Sequence, residues 1–145
     1  MTEPDKFAEA ATAYVETLER FNAQTMDAFL DLCASGIEFR DPFNHTFGRD
    51  DFRRVLGHML DQVSDLQFDV TRHWRDGPSM IIQWRFTGQA RFIGALDIPG
   101  LSEVRFDGDG LVSGHIDYWD ANEHITSKLP ALGPLVRMAM RPMSI

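Results

Sequence analysis

The stretch Ile37-Glu38-Phe39-Arg40-Asp41-Pro42 decides how the chain is read. Its alternation marks a short strand, with Ile37, Phe39 and Asp41 on one face and Glu38 and Arg40 on the other. A carboxylate thus ends the face that two apolar residues mark as buried. Burial disfavours the charged form of a carboxyl group unless donors compensate, so Asp41 is a candidate proton-transfer group. Asp-Pro is also a turn signal, and Asp41 reads as well as a residue that only closes a turn.

Upstream, the pattern is helical. Phe7, Ala10, Ala11, Tyr14, Val15, Leu18 and Phe21 recur at spacings of three and four, predicting an amphipathic helix over 5–21. Tyr14 lies in the apolar stripe, where its hydroxyl needs a partner; a backbone carbonyl is the simplest one. A shorter helix is expected over 25–34, capped by Thr25 and stopped by Ser35-Gly36, with Cys33 on its apolar side. After Pro42 a loop carries Asn44 and His45, and a third helix is expected over 50–63.

Downstream, the period changes to two. Leu66, Phe68 and Val70 alternate with polar residues, then Met80, Ile82, Trp84 and Phe86 do the same beyond the turn Asp76-Gly77-Pro78. A short strand at 90–93, a loop at Asp97-Ile98-Pro99-Gly100, a strand through Val104 and Phe106, and a hairpin at Asp107-Gly108-Asp109-Gly110 lead into a last strand over 111–120. Three helices followed by hairpin-joined antiparallel strands define an α+β fold of one domain over 1–145. Polarity in the last strand sends Ile116 and Tyr118 inward and His115 and Asp117 outward. The tail from about residue 121 is apolar, keeps Lys128, Arg137 and Arg141, and has no acid past Glu123. A short helix opened by Pro134, packed on the sheet or over a pocket mouth, is expected there; contact with a membrane or a lipid-like ligand is the sharper alternative.

Composition narrows the function. A net charge of −8 offers no basic footprint for nucleic acid. The single cysteine, Cys33, forms no internal disulfide and no Cys-rich metal site, which points to a reducing, cytoplasmic setting. The N-terminal run shows no leader pattern, and no segment reaches the ~20 apolar residues of a membrane span. Eleven Phe and three Trp supply enough aromatic surface to line a cavity.

Three places then carry a family likeness: Tyr14-Val15 in the first helix, Phe39-Arg40-Asp41-Pro42 followed by Gly48-Arg49-Asp50, and Val104-Arg105-Phe106-Asp107-Gly108-Asp109-Gly110 leading to Tyr118-Trp119-Asp120. In this order they resemble the nuclear transport factor 2-like superfamily, which includes ketosteroid isomerase and the SnoaL-like polyketide cyclases. The resemblance implies a curved antiparallel sheet wrapped by three helices into a cone around an apolar cavity, and homodimers through the outer sheet face. It turns His115, Asp117 and Trp119 into the cavity and Ile116 and Tyr118 outward.

Ketosteroid isomerase uses an Asp base with an oxyanion hole of Tyr and a protonated Asp. By that resemblance Asp41 matches the base and Tyr14 the Tyr, whereas Ser102 stands where the second acid would be. A neutral serine lacks the donor strength of a protonated carboxyl, which sets this chain apart from steroid isomerisation. His115 and Asp117 are additions of the kind SnoaL-like cyclases and related dehydratases use. The expected catalytic set is therefore Asp41, Tyr14, His115 and Asp117, with Phe39, His45, Leu56, Trp84, Phe86, Ser102 and Trp119 contacting substrate. A metal site needs a third ligand beside His115 and Asp117, and none is evident; no cofactor is expected. The activity expected is cofactor-free isomerisation, cyclisation or dehydration of a small apolar carbonyl compound. The alternative is a lipophilic-ligand-binding or dimerisation module without chemistry.

Overall fold

The computed structural model describes residues 5–143. The N-terminal stretch read for a leader pattern lies in part, at residues 1–4, outside the described residues. Helix α1 (Lys6–Glu19) is capped by Asp5, whose Oδ1 accepts from the amides of Phe7 and Ala8 at 3.0 and 3.2 Å. Its stripe of Ala11, Tyr14, Val15 and Leu18 is buried. Helix α2 (Met26–Asp31) is shorter than expected. Thr25 does not cap it: its hydroxyl accepts from the Asn22 amide and donates to the Arg20 carbonyl. Cys33 belongs not to this helix but to strand β1 (Cys33–Arg40). Ser35-Gly36 ends no helix; the pair lies where β1 slips register, a bulge that glycine tolerates.

Strand β2 (His45–Phe47) occupies what the sequence presents as loop and pairs with β1, Arg40 opposite His45. Helix α3 (Arg49–Gln62) buries Phe52 and Leu56. Gly48 precedes it at φ 98°, and its amide donates to the Ile37 carbonyl at 2.8 Å, tying the helix start to β1. Strands β3 (Val63–Asp76), β4 (Ser79–Ala90), β5 (Gly94–Phe106) and β6 (Val112–Tyr118) follow. The six strands form one sheet in the order β2-β1-β6-β5-β4-β3.

Three expectations about the sheet are corrected. It is mixed rather than antiparallel throughout, because β1 runs parallel to β6. The proposed loop at Asp97-Ile98-Pro99-Gly100 lies inside β5, and 91–93 is a turn rather than strand. Pro99 is tolerated because β6 pairs only with Leu101–Phe106 of β5, so this half of the strand is flanked by β4 alone.

The polarity reading of the last strand is also overturned, and the cause is local. Phe106 pairs with Val112 but Arg105 with Gly114, leaving Ser113 as an extra residue. Such a bulge switches the face of everything beyond it. Val112 and His115 are both buried in consequence, and Tyr118 is 56% exposed.

After β6, helix α4 (Ala121–His124) is capped by Asp120, and a 3₁₀ turn (Thr126–Lys128) leads to α5 (Gly133–Met140), with Pro134 in its first turn. The tail departs from the packing expected of it. Ile125 lies on the cavity wall, but α5 packs on the 3₁₀ turn and leaves Leu132, Leu135 and Met138 exposed. No helix is long and apolar enough to cross a membrane.

Candidate active site

A cavity of about 400 Å³ lies between the sheet and α1, α2 and α3. Its walls are mainly aromatic and aliphatic: Phe21 and Phe29 from the helical side, Phe39, Phe68, Trp84 and Phe86 from the strands. Among them sit Asp41, Ser102, His115 and Asp117. Few polar groups converging in an apolar hollow of this size is the usual build of a small-molecule site.

The polar groups form one chain of hydrogen bonds. Trp84 Nε1 donates to Ser102 Oγ at 2.7 Å, and Ser102 Oγ donates to Asp117 Oδ1 at 2.5 Å. His115 Nε2 lies 2.8 Å from the same oxygen, and His115 Nδ1 lies 2.6 Å from the Tyr14 hydroxyl. The direction of each bond follows from what each group can do. Burial pushes the Tyr14 phenol well above its usual range, with the Cys33 thiol and Asp117 adding to the shift, so it keeps its proton. Asp117 Oδ1 accepts, so His115 Nε2 carries a proton and donates to it; with the ring's single proton there, Nδ1 accepts from the Tyr14 hydroxyl. Phe39, Phe52 and Tyr14 pack around the imidazole with ring centroids 5.7, 6.1 and 5.8 Å away. Asp117 Oδ1 therefore accepts two hydrogen bonds, while Oδ2 accepts none from the described residues.

Asp41 is built differently. Its Oδ1 accepts from the amides of Phe43 and Asn44 at 2.8 and 2.7 Å and from Asn44 Nδ2 at 3.1 Å. The turn and the cavity readings of this residue both describe it. Burial nonetheless raises its carboxyl above the usual range; the hydrogen bonds from Phe43 and Asn44 oppose that shift, and the nearby Asp117 adds to it.

Of the residues expected at the site, Asp41, His115, Asp117, Phe39, Leu56, Trp84, Phe86, Ser102 and Trp119 line the cavity. Two do not. Tyr14 is fully buried behind His115, so its hydroxyl meets the imidazole rather than a guest or a backbone carbonyl. His45 projects from the opposite face of the sheet, where Nε2 lies 2.9 Å from Glu38 Oε2; pairing with Arg40 on β1 gives it that strand's outer face. Ser102 is on the wall, but its proton is committed to Asp117. Residues on the wall that sequence reasoning left out include Asn44, His58, Gln62 and Arg91. The spacing Asp41-Pro42-Phe43-Asn44 was a readable signal for Asn44, since an Asp side chain commonly caps the amides two and three residues on. Among the described residues no three His, Cys, Asp or Glu side chains assemble a metal site.

A helix-backed six-stranded sheet around such a cavity defines the class as nuclear transport factor 2-like. The chain belongs to the SnoaL-like domain family, whose model matches residues 11–115. Solved structures with the same fold include a nuclear transport factor 2-like protein of unknown function from Burkholderia pseudomallei (12% identity, TM-score 0.73, covering 90% of this chain and 100% of that one). Another is a protein with a ketosteroid isomerase-like fold from Catenulispora acidiphila in complex with trimethylamine (16%, 0.71, 85% and 95%). A candidate ketosteroid isomerase from Kribbella flavida is 27% identical, with a TM-score of 0.65 over 83% of this chain and 82% of that one. No curated protein matches the chain in sequence.

Proposed function

We propose that the protein is a cofactor-free acid/base enzyme of the isomerase, cyclase or dehydratase type, acting on a small apolar carbonyl compound held in the cavity. The observation that carries this reading is the pair of carboxyl groups, Asp41 and Asp117, on the wall of one apolar hollow in unlike hydrogen-bond settings. Carboxyl groups whose environments differ in this way divide into acid and base.

Asp117 is the base in this reading. Its Oδ2 takes a proton from the carbon next to the substrate carbonyl, while Ser102 and His115 hold Oδ1. Electrons move from the broken C–H bond to the carbonyl oxygen, and the raised carboxyl of Asp41 donates to that oxygen. The roles differ from the family pattern in two respects. Asp41 serves as the acid rather than the base, and Tyr14 is a positioning residue that fixes the His115 tautomer. Phe39, Leu56, Trp84, Phe86 and Trp119 contact the substrate body. The expected cone, helices wrapped around the curved sheet, is the shape this reading assumes.

Deuterium exchange into 2-tetralone, a bicyclic ketone, tests the reading by NMR in D₂O. Exchange faster than in buffer, lost in Asp117→Asn, supports it; Asp117→Asn exchanging as fast as the natural chain defeats it. The binding-module alternative draws on the turn around Asp41, whose four hydrogen bonds also serve to tie a loop. It predicts ligand uptake with no exchange.

Two further elements belong to the proposal. Trp74, Ile81, Leu101 and Tyr118 are exposed on the outer sheet face and supply the apolar surface for a homodimer, which sedimentation velocity would reveal. The lone buried thiol of Cys33 goes with a cytoplasmic setting.

A further inference from the structure

The cavity has a rim whose chemistry differs from the Asp117 region. Arg91 is the one Lys or Arg among its lining residues, His58 and Gln62 line it too, and all three are exposed. His58 and Gln62 are one turn apart on the same face of α3. The Arg91 amide donates to the Gln62 carbonyl at 3.1 Å, stitching the β4–β5 turn to the end of α3. None of the three side chains makes a hydrogen bond or ion pair with a described residue. Arg53, Arg75, Arg85 and Arg105 each hold a carboxylate instead.

The backbone next to Arg91 is strained. Phe92 stands at φ 68°, a conformation disfavoured for a bulky side chain, and is 91% exposed, so no packing compensates. Its two neighbours, Arg91 and Ile93, both lie on the cavity wall. Arg91 is thus exposed to solvent and part of the cavity wall at once.

Charge then sorts a guest end for end. Asp117 pairs across the sheet with Ser102, eight residues along β5 from Gly94, which pairs with Ala90 beside Arg91. That is about 26 Å of strand at ~3.3 Å per residue. An anion is repelled by the Asp117 base and attracted to Arg91, whose planar fork fits a carboxylate through two parallel hydrogen bonds. We infer that the cavity takes an elongated apolar compound bearing a carboxylate, held by Arg91 at the rim that His58 and Gln62 also line, while the neutral end reaches Asp117. This rests on reading the cavity as a ligand site.

The test is binding, not turnover. Hexadecanoate, an extended chain long enough to run most of that distance, and its neutral amide are titrated into the protein, followed by tryptophan fluorescence, to which Trp84 and Trp119 on the cavity wall contribute. The carboxylate is expected to bind about tenfold more tightly, as a charge-assisted pair requires. Arg91→Gln should level the two probes, and Arg91→Lys, which keeps the charge but not the fork, should retain part of the preference. Unchanged thermal unfolding of both variants separates recognition from misfolding. Equal binding of the two probes by the natural chain, or a preference that survives Arg91→Gln, overturns the inference and leaves the ligand-site reading intact. If neither probe enters, the ligand-site reading falls and takes the inference with it.

Discussion

Tyr14 and His115, separated by 101 residues of chain, meet through a 2.6 Å hydrogen bond between the phenol oxygen and Nδ1 in a fully enclosed setting. Removing the hydroxyl leaves a buried ring nitrogen without its donor. Tyr14→Phe is therefore expected to cost about 1–3 kcal/mol of stability, the usual penalty for a stranded buried acceptor. It also frees the imidazole to place its proton on either nitrogen. In ¹⁵N NMR the natural His115 should show the Nε2–H tautomer at neutral pH, and Tyr14→Phe a mixture. An unchanged tautomer would remove Tyr14 from the positioning role.

The two carboxyl groups should separate in variants. Asp117→Asn removes the base and is expected to lower turnover by about 10²–10⁴-fold, the range for a lost general acid or base. Asp41→Asn removes a proton donor, so activity in the natural chain should fall as pH rises through the raised range of Asp41, and that limb should vanish in the variant. Stability carries the same sign. A carboxyl group whose pKa is higher in the fold than in the unfolded chain binds its proton more tightly when folded. Stability is thus lost as pH rises from the unfolded value through the folded one. Against Asp41→Asn, the natural chain should lose ground over that window in thermal unfolding measured at a series of pH values.

Much of this arrangement was legible in the residues. The helical stripes around Tyr14 and Leu56, the period-two runs through Trp84 and Phe86, and the strand leading to Asp41 were all local patterns, and each formed, though β1 starts earlier, at Cys33, and ends at Arg40, one residue before Asp41. Some local signals misled, such as the Thr25 cap and the Ser35-Gly36 stop, but what mattered most for the site was non-local. The bulge at Ser113 depends on how β5 and β6 register, and that one residue reverses the polarity argument for His115 and Asp117. The parallel pairing of β1 with β6 joins segments too distant for any periodicity to link. Arg91 fell inside the stretch 90–93 that reads as strand, because nothing in its neighbours announces the left-handed Phe92 that makes it a turn.

Cys33 offers a check on how closed the core is. It is fully buried, its Sγ lies 3.7 Å from the Phe29 carbonyl, and burial pushes its thiol up to about 12. Only the thiolate reacts readily, so the folded protein should resist a disulfide reagent at pH 8 and react once unfolded in guanidinium. Rapid reaction without denaturant would mean that the core around α2 and β1 opens far more often than its packing implies.

Gly100 links the sheet to the site through space alone. It sits opposite Trp84 in the β4–β5 register, and a Cβ added there would collide with the far edge of the indole. Trp84 lies across this gap and from there donates to Ser102, which holds Asp117. Gly100→Ala should therefore do two things. Overpacking should cost about 1–3 kcal/mol in denaturant unfolding. Displacing the indole should also break its bond to Ser102 and shift Trp84 fluorescence. Trp84→Phe, whose shorter ring withdraws from the contact, should make the alanine nearly harmless, so the double variant is expected to be less destabilised than the two single effects together. Additive losses would show that Gly100 is needed for its backbone rather than for the room it gives Trp84.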